Sequence, residues 1–275
     1  MISKRLRPYL IASAILLSTL FTTGCLVLPI KTGTHIQNPS GEKDKLPKFT
    51  IVPGQTTREE VEQQYWAFRT DSGVPNLFWA RFRKSTWAMV WAVGGYGGAT
   101  GGGGRMWGSF NLLVRFDEHG KVVSSDLIQD KNLLARLQAF CAQKDFPTLD
   151  LSQPVQVNGE QVYVFNEPVE FQLTENTVVV RRYLPNRKVH KRWVPQPPVI
   201  ASFSASEVTG ISARYAEDAR TVPLNIRFSR KTPVGKGVSF NTEPADALTL
   251  VRWQQQVQAT RRSEAGSQKQ MGGTQ

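Results

Sequence analysis

The sequence predicts an α+β protein, in which a small helix with an antiparallel sheet is followed by a mainly-β part closed by a C-terminal helix. Three observations predict it. Helical spacing of apolar residues occurs in only a few short stretches, such as Leu133, Leu134, Leu137, Phe140 and Cys141 on one face. Short β-rich runs fill most of the remainder. Turn-forming residues separate those runs at close intervals. With 275 residues, 40% of them hydrophobic, the chain can bury a real core in one or two domains.

The chain opens with "MISKRLRPYL", carrying Lys4, Arg5 and Arg7, followed by an apolar run from Leu10 to Phe21 and then "TTGC". A basic start, a short apolar centre and a small-residue exit make residues 1–24 a secretory signal peptide. The run is short for a bilayer span, which needs about 20 apolar residues. Gly24 before Cys25 resembles a bacterial lipobox, with Thr22 at the place usually held by Leu. That resemblance implies lipidation at Cys25, and Leu26 after it implies the outer membrane, facing the periplasm. The formal charge of +12 falls to +9 without the signal, with 31 basic against 22 acidic side chains. In a periplasm that excess suits anionic lipid head groups or acidic proteins rather than nucleic acid.

Residues 25–48 are rich in Pro, Gly, Ser, Thr and Lys and read as a flexible tether, reaching roughly 25–30 Å. Pro53-Gly54 marks a turn. Thr57 and Glu60 form a capping box that opens a helix, with Val61, Tyr65 and Phe68 at helical spacing. Phe78, Ala80 and Phe82 alternate as in a strand, and Trp87 to Val93 is almost wholly apolar. A strand over 109–116, a turn at "DEHG" and a strand over 121–125 make a hairpin.

Between the aromatic strands lie eight glycines within Gly94–Gly104. The third glycine of a dinucleotide fingerprint is replaced by Thr100, and Arg105-Met106 stand where a P-loop needs Lys and a hydroxyl. The run therefore reads as a mobile hairpin loop whose one sizeable side chain is Tyr96.

"IVPGQTTREEV", the aromatic strands and "NLLVRFDEHGKV" together resemble the SmpA/OmlA (BamE-like) outer-membrane lipoprotein family over about residues 25–130. The matching positions are Gly54, Thr56, Glu60, Val61, Phe116, Asp117 and Gly120. The resemblance implies a lipidated cysteine, a flexible lead and a small α+β domain over 49–145. It also implies a protein that assists barrel assembly or stabilises the envelope by contact, not catalysis.

A second, mainly-β domain is expected over 146–260. Asn158-Gly159 between valine pairs signals a two-residue hairpin. Strands follow in "VEFQLTENTVVV", "VHKRWVP", "VIASFSAS", "ISARYA", "PLNIRFS" and "GVSF". A terminal helix is capped by Thr242, with Pro244 in its first turn and Ala247, Leu250, Val251 and Val257 as its stripe. Many strands and one closing helix resemble a pleckstrin-homology-like barrel in architecture. Residues 261–275 read as a disordered tail.

Chemistry-bearing constellations are sparse. His35, His119 and His190 are dispersed, and no H-E-x-x-H, G-x-S-x-G or S-x-x-K motif occurs. No catalytic set, metal site or cofactor is expected. Cys141 reads as a buried structural thiol. "RRYLPNRKVHKRW" places Arg181, Arg182, Arg187, Lys188, Lys191 and Arg192 together without an acid, with a turn expected at Pro185-Asn186. It is either a solvated strand face or a contact for lipid phosphates or an acidic partner. Trp79, Trp87, Trp91 and Trp107 either fill core or, as Trp87, Trp91 and Trp107 with Tyr96, form an interface.

Overall fold

A computed structural model describes residues 25–95, 98–162, 166–214 and 219–271. It is an α+β structure, mostly antiparallel sheet with a few helices. The chain divides into two compact units. The first takes in residues up to Ile36 together with Lys84–Trp107, and the second holds Gln37–Arg83 and everything from Gly108 onward.

In chain order the elements begin with β1 (Cys25–Gln37), β2 (Lys43–Asp44), α1 (Arg58–Tyr65), β3 (Arg69–Thr70), β4 (Leu77–Gly95), β5 (Gly98–Phe116) and β6 (Val122–Gln129). Next come α2 (Asp130–Cys141), β7 (Val155–Gln161), β8 (Pro168–Leu173), β9 (Thr177–Arg182), β10 (Arg187–Val189) and β11 (Arg192–Val194). The last are β12 (Val199–Ser204), β13 (Val208–Ala213), β14 (Val222–Thr232), β15 (Gly235–Thr242) and α3 (Pro244–Met271). One sheet has the order β2-β1-β4-β5-β6, with β3 on β4; another has the order β12-β9-β8-β7-β15-β14-β13.

Local signals form as expected. The Thr57 hydroxyl accepts from Glu60 N–H at 3.3 Å, and the Glu60 carboxylate accepts from Thr57 N–H at 2.8 Å. The α1 side chains Val61 and Tyr65, and Phe68 just beyond, are buried. In the turn after β5, Asp117 Oδ1 accepts from the N–H groups of His119 and Lys121, and Gly120 takes φ +73°. On α2, Leu133, Leu137 and Phe140 are buried, with Leu134 and Cys141 packed beside them.

The seven-stranded sheet is antiparallel throughout and curls into a half-barrel. Its two edge strands, β12 and β13, are joined only by the 3-10 turn Ala205–Glu207. Phe203 on β12 stacks on Phe228 of β14 with centroids 3.8 Å apart. Arg230 braces that seam by donating to Ser202 O at 2.9 Å and to the Glu207 carboxylate. Ala247, Leu248, Leu250, Val251, Trp253 and Val257 of α3 are buried in the core, and Trp253 Nε1 donates to Thr174 O at 2.9 Å.

Several expectations are corrected. One hydrophobic cluster runs from Val74 through Leu133 to Val257, so no separate core begins at residue 146. Residues 25–37 form strand β1 rather than part of a flexible tether, because they have a neighbouring strand to bond. The C-terminal segment is helical to Met271, with 272–275 outside the described residues. Asn158-Gly159 is not a turn but the middle of β7, opposite Glu170 and Val169. A β-carbon at Gly159 would lie 2.5 Å from Phe240 Cδ2, so this glycine makes room for a ring. The Thr242 hydroxyl donates to Asn158 O at 2.6 Å, across to β7.

The glycine run is also mostly strand. Gly94 and Gly95 end β4, and Gly98–Gly104 begin β5. A β-carbon at Gly101 would meet Trp91 O at 2.9 Å, and one at Gly103 would meet Met89 O at 3.2 Å. Rising number on β5 thus matches falling number on β4, as in an antiparallel hairpin. The space over Gly102 is taken by the Trp91 indole, whose Cζ2 would lie 2.9 Å from a β-carbon there. Gly102 therefore seats a tryptophan, and Gly101 and Gly103 let the two backbones approach closely. Tyr96 and Gly97 lie outside the described residues.

Candidate functional site

The six clustered cations separate into two sets. Arg181 and Arg182 end β9 within the seven-stranded sheet. Arg181 Nη1 donates to Glu170 Oε2 at 2.9 Å, and Arg182 Nε stands 3.2 Å from Glu167 Oε2. The hydrogen bond from Arg181 to Glu170 holds its guanidinium pKa above the usual value. These two charges are already matched by carboxylates from β8 and the residue before it.

Arg187, Lys188, Lys191 and Arg192 belong to the separate β10–β11 hairpin. It reverses at His190-Lys191, with φ +47° and +66°, not at Pro185-Asn186. Two consecutive positive φ values give the tight turn whose twist suits a two-residue hairpin. The turn pairs Arg187 with Val194, Lys188 with Trp193 and Val189 with Arg192. All four cations are exposed, and among the described residues none of them is ion-paired. Trp193 is 68% exposed, with Lys188 Nζ 5.9 Å from its ring centroid. The hairpin thus presents four exposed positive charges, with Lys188 on the face of Trp193 and Arg187 and Arg192 on the other face. Trp193 was not singled out from sequence; its place among the cations of "HKRW" was the available signal.

The tryptophans divide as well. Trp79 is fully buried, and its Nε1 donates to Asn111 Oδ1 at 2.9 Å. Trp87 and Trp91 are exposed on β4 at 44% and 42%, and Trp107 is half-buried on β5. Cys25 is the first residue of β1.

A buried polar group was invisible in the sequence. Arg81 on β4 is fully buried, and its Nη2 stands 2.8 Å from Asp130 Oδ2, the first residue of α2. Asn111 of β5 donates to the other Asp130 oxygen, and Arg81 also donates to Thr221 O. Burial pushes the Asp130 carboxyl above its ordinary pKa, opposed by Arg81 and by the bond from Asn111. Enclosed and mutually bonded, these groups order the junction of β4, β5 and α2.

Cys141 borders a cavity of about 500 Å³ with Phe146, Arg252, Gln255, Gln256 and Arg262. Burial pushes its thiol up to about 12, so it carries no thiolate near neutral pH. His119 lies in its turn, and His190 in the hairpin reversal. Among the described residues no group of three His, Cys, Asp or Glu side chains could hold a metal ion, and no helix is long and apolar enough to cross a membrane.

No protein-family model matches the sequence, and no curated protein matches it at a significant level.

Proposed function

We propose that this chain is an outer-membrane lipoprotein, anchored through Cys25 and facing the periplasm, that works in envelope assembly or integrity by contact rather than catalysis. The observation that carries the contact reading is the β10–β11 hairpin, which carries the exposed Trp193 with Lys188 beside its ring and, among the described residues, four exposed cations without an ion-pair partner. Such a pairing suits an anionic head-group surface. The cations meet phosphates, and the indole occupies the interface between polar and apolar layers. Arg181 and Arg182 leave the set of contact residues, since carboxylates already bind them.

The BamE-like reading of the N-terminal half is supported by the formed capping box at Thr57 and the turn Asp117–Gly120, two of its motif positions. The pleckstrin-homology-like reading is supported by strand order. The first strand of the set, β7, lies between the second, β8, and the last, β15, and a helix follows.

Co-sedimentation of the purified Cys25→Ser chain with phosphatidylglycerol vesicles tests the contact. Near an anionic surface each cation contributes about 1 kcal/mol. Replacing Arg187, Lys188, Lys191 and Arg192 by Gln should therefore weaken binding on the order of several hundredfold, and salt should do likewise. Equal binding of the two proteins, or equal binding to neutral phosphatidylcholine vesicles, would remove the hairpin from the proposal.

A further inference from the structure

The first unit exposes much apolar surface on strands. Leu26, Leu28 and Ile30 of β1 are 49%, 48% and 46% exposed, and Met89, Val93 and Met106 are 39%, 40% and 52% exposed. Alternation orders these residues. Along β4, Trp87, Met89, Trp91 and Val93 fall on one face, and Ala88, Val90, Ala92 and Gly94 on the other. The Trp91 indole over Gly102 assigns Thr100, Gly102, Gly104 and Met106 of β5 to the tryptophan face. No charged residue stands on that face between 86 and 107; Arg105 lies on the opposite one, with Gly101, Gly103 and Trp107, and with Ala88, Val90 and Ala92 of β4. The same division recurs in β1, where Leu26, Leu28, Ile30, Thr32 and Thr34 alternate with a set that includes Lys31 and His35.

One bulky, charge-free face and one face mostly of small residues that carries the charges, with Trp107 at its end, is the pattern of a strand between lipid and a lumen. Residues 85–95 and 98–107 match the about 9–11 residues a tilted strand needs to cross a bilayer. Three strands alone cannot cross, because their outer backbone groups would meet hydrocarbon unbonded. Both edges here are available. The pairing of β5 with β6 covers only Phe110 to Phe116, which leaves 98–107 without a strand on that side among the described residues. The outer neighbour of β1 is the two-residue β2.

We propose that copies of this chain join edge to edge through β1 and the 98–107 part of β5, closing their three-stranded sheets into one membrane-spanning β-barrel. The joint is head-to-tail, so rotation closes it into a ring. The Trp87–Met89–Trp91–Val93 face meets lipid. Arg105, Lys31 and the small residues line the lumen. The inference goes beyond the contact role proposed above and does not use the anchor, so it stands or falls on the purified chain.

The test uses the full chain carrying Cys25→Ser and Cys141→Ala, reconstituted in phosphatidylethanolamine–phosphatidylglycerol vesicles. One variant adds Thr32→Cys and Gly104→Cys at the two edges, both on the face assigned to lipid, with open space for a side chain at residue 104. Oxidation should give a ladder of linked copies, and planar-bilayer recording should give discrete conductance steps. Met89→Asp, on the lipid face, should cut the frequency of insertion events at least about tenfold, whereas Val90→Asp, on the lumen face, should hold it within about twofold and shift ion selectivity. Far-UV circular dichroism and thermal midpoints of the two Asp variants in detergent control for misfolding. Monomers without conductance overturn the proposal. Linked copies that never conduct also overturn it, since they show contact between copies without a barrel. Equal loss in both Asp variants with unchanged midpoints overturns the assignment of faces.

Discussion

Arg81 Nη2 lies 2.8 Å from Asp130 Oδ2, with the two side chains 0% and 2% exposed. Removing one member of such a pair leaves a buried charge without its counter-charge, which costs about 3–5 kcal/mol. Asp130→Ala should lower the thermal midpoint on the order of 10 °C, given about 2–4 °C per kcal/mol for domains of 150–250 residues. Arg81→Met combined with Asp130→Leu should lose clearly less than the sum of the single changes. Calorimetry of the three variants checks this; simple additivity would show that the two groups do not act as a pair.

Gly159→Ala should destabilise by about 1–3 kcal/mol, as overpacking of a filled core does. The new methyl would stand 2.5 Å from Phe240 Cδ2 and 2.8 Å from Asn241 O. Phe240 cannot retreat freely, since it is fully buried against Phe171 with centroids 4.6 Å apart. Gly210→Ala serves as the comparison, because a β-carbon there meets nothing within 4 Å. Urea midpoints should fall for the first change and hold or rise slightly for the second.

Alkaline stability should depend on Cys141. Its folded pKa is raised by burial from 9.0 to about 12, so above pH 9 the unfolded chain releases a proton that the folded chain keeps. The unfolded state then binds fewer protons, and stability falls as pH rises between about 9 and 12, by up to about 1.4 kcal/mol per pH unit for this one group. Cys141→Ala should lessen the slope in that window and leave it unchanged below pH 8. Parallel slopes for the two proteins would exclude the thiol as the cause.

The segment 146–150, at the boundary expected between the two domains, should resist cleavage. Gln256 of α3 donates to Leu149 O and accepts from Leu149 N–H, both at 3.0 Å. Arg252 donates to Pro147 O at 3.1 Å and Thr148 O at 3.0 Å. Changing Gln256 and Arg252 together to Ala frees four backbone bonds. Digestion with thermolysin should then cut near Leu149 several times faster, with the rest of the pattern unchanged. Equal rates would mean that the strap does not protect the segment.

What the sequence revealed was local. The Thr57–Glu60 box, the Asp117–Gly120 turn and the Leu133–Leu137–Phe140 stripe each depend on residues within a few positions of one another, and each formed. What it concealed depends on distant partners. Asn158-Gly159 has the composition of a turn, but the Phe240 ring on β15 fills the space that a side chain at residue 159 would need. The glycines of β5 have the composition of a loop, but they lie in a strand and the Trp91 ring occupies the space over Gly102. Arg81 could not be recognised as buried before Asp130 and Thr221 were brought beside it. The basic cluster was visible as charge. Its division was not, because Glu167 and Glu170 reach Arg182 and Arg181 from a neighbouring strand and the residue before it.

The position of β7 between β8 and β15 also dictates when the sheet can be finished. β8 follows β7 after a short connection, so β7, β8 and β9 can pair as soon as all three have left the ribosome. The other edge of β7 stays bare until Gly235–Thr242 has emerged. Throughout that interval Phe171 lacks Phe240, and an unpaired strand with an apolar face is open to pairing with any other chain. Speed of synthesis through the final forty residues therefore governs yield. A chain that stalls near residue 230 leaves a half-made sheet that needs a chaperone, even though most of its strands are already synthesised.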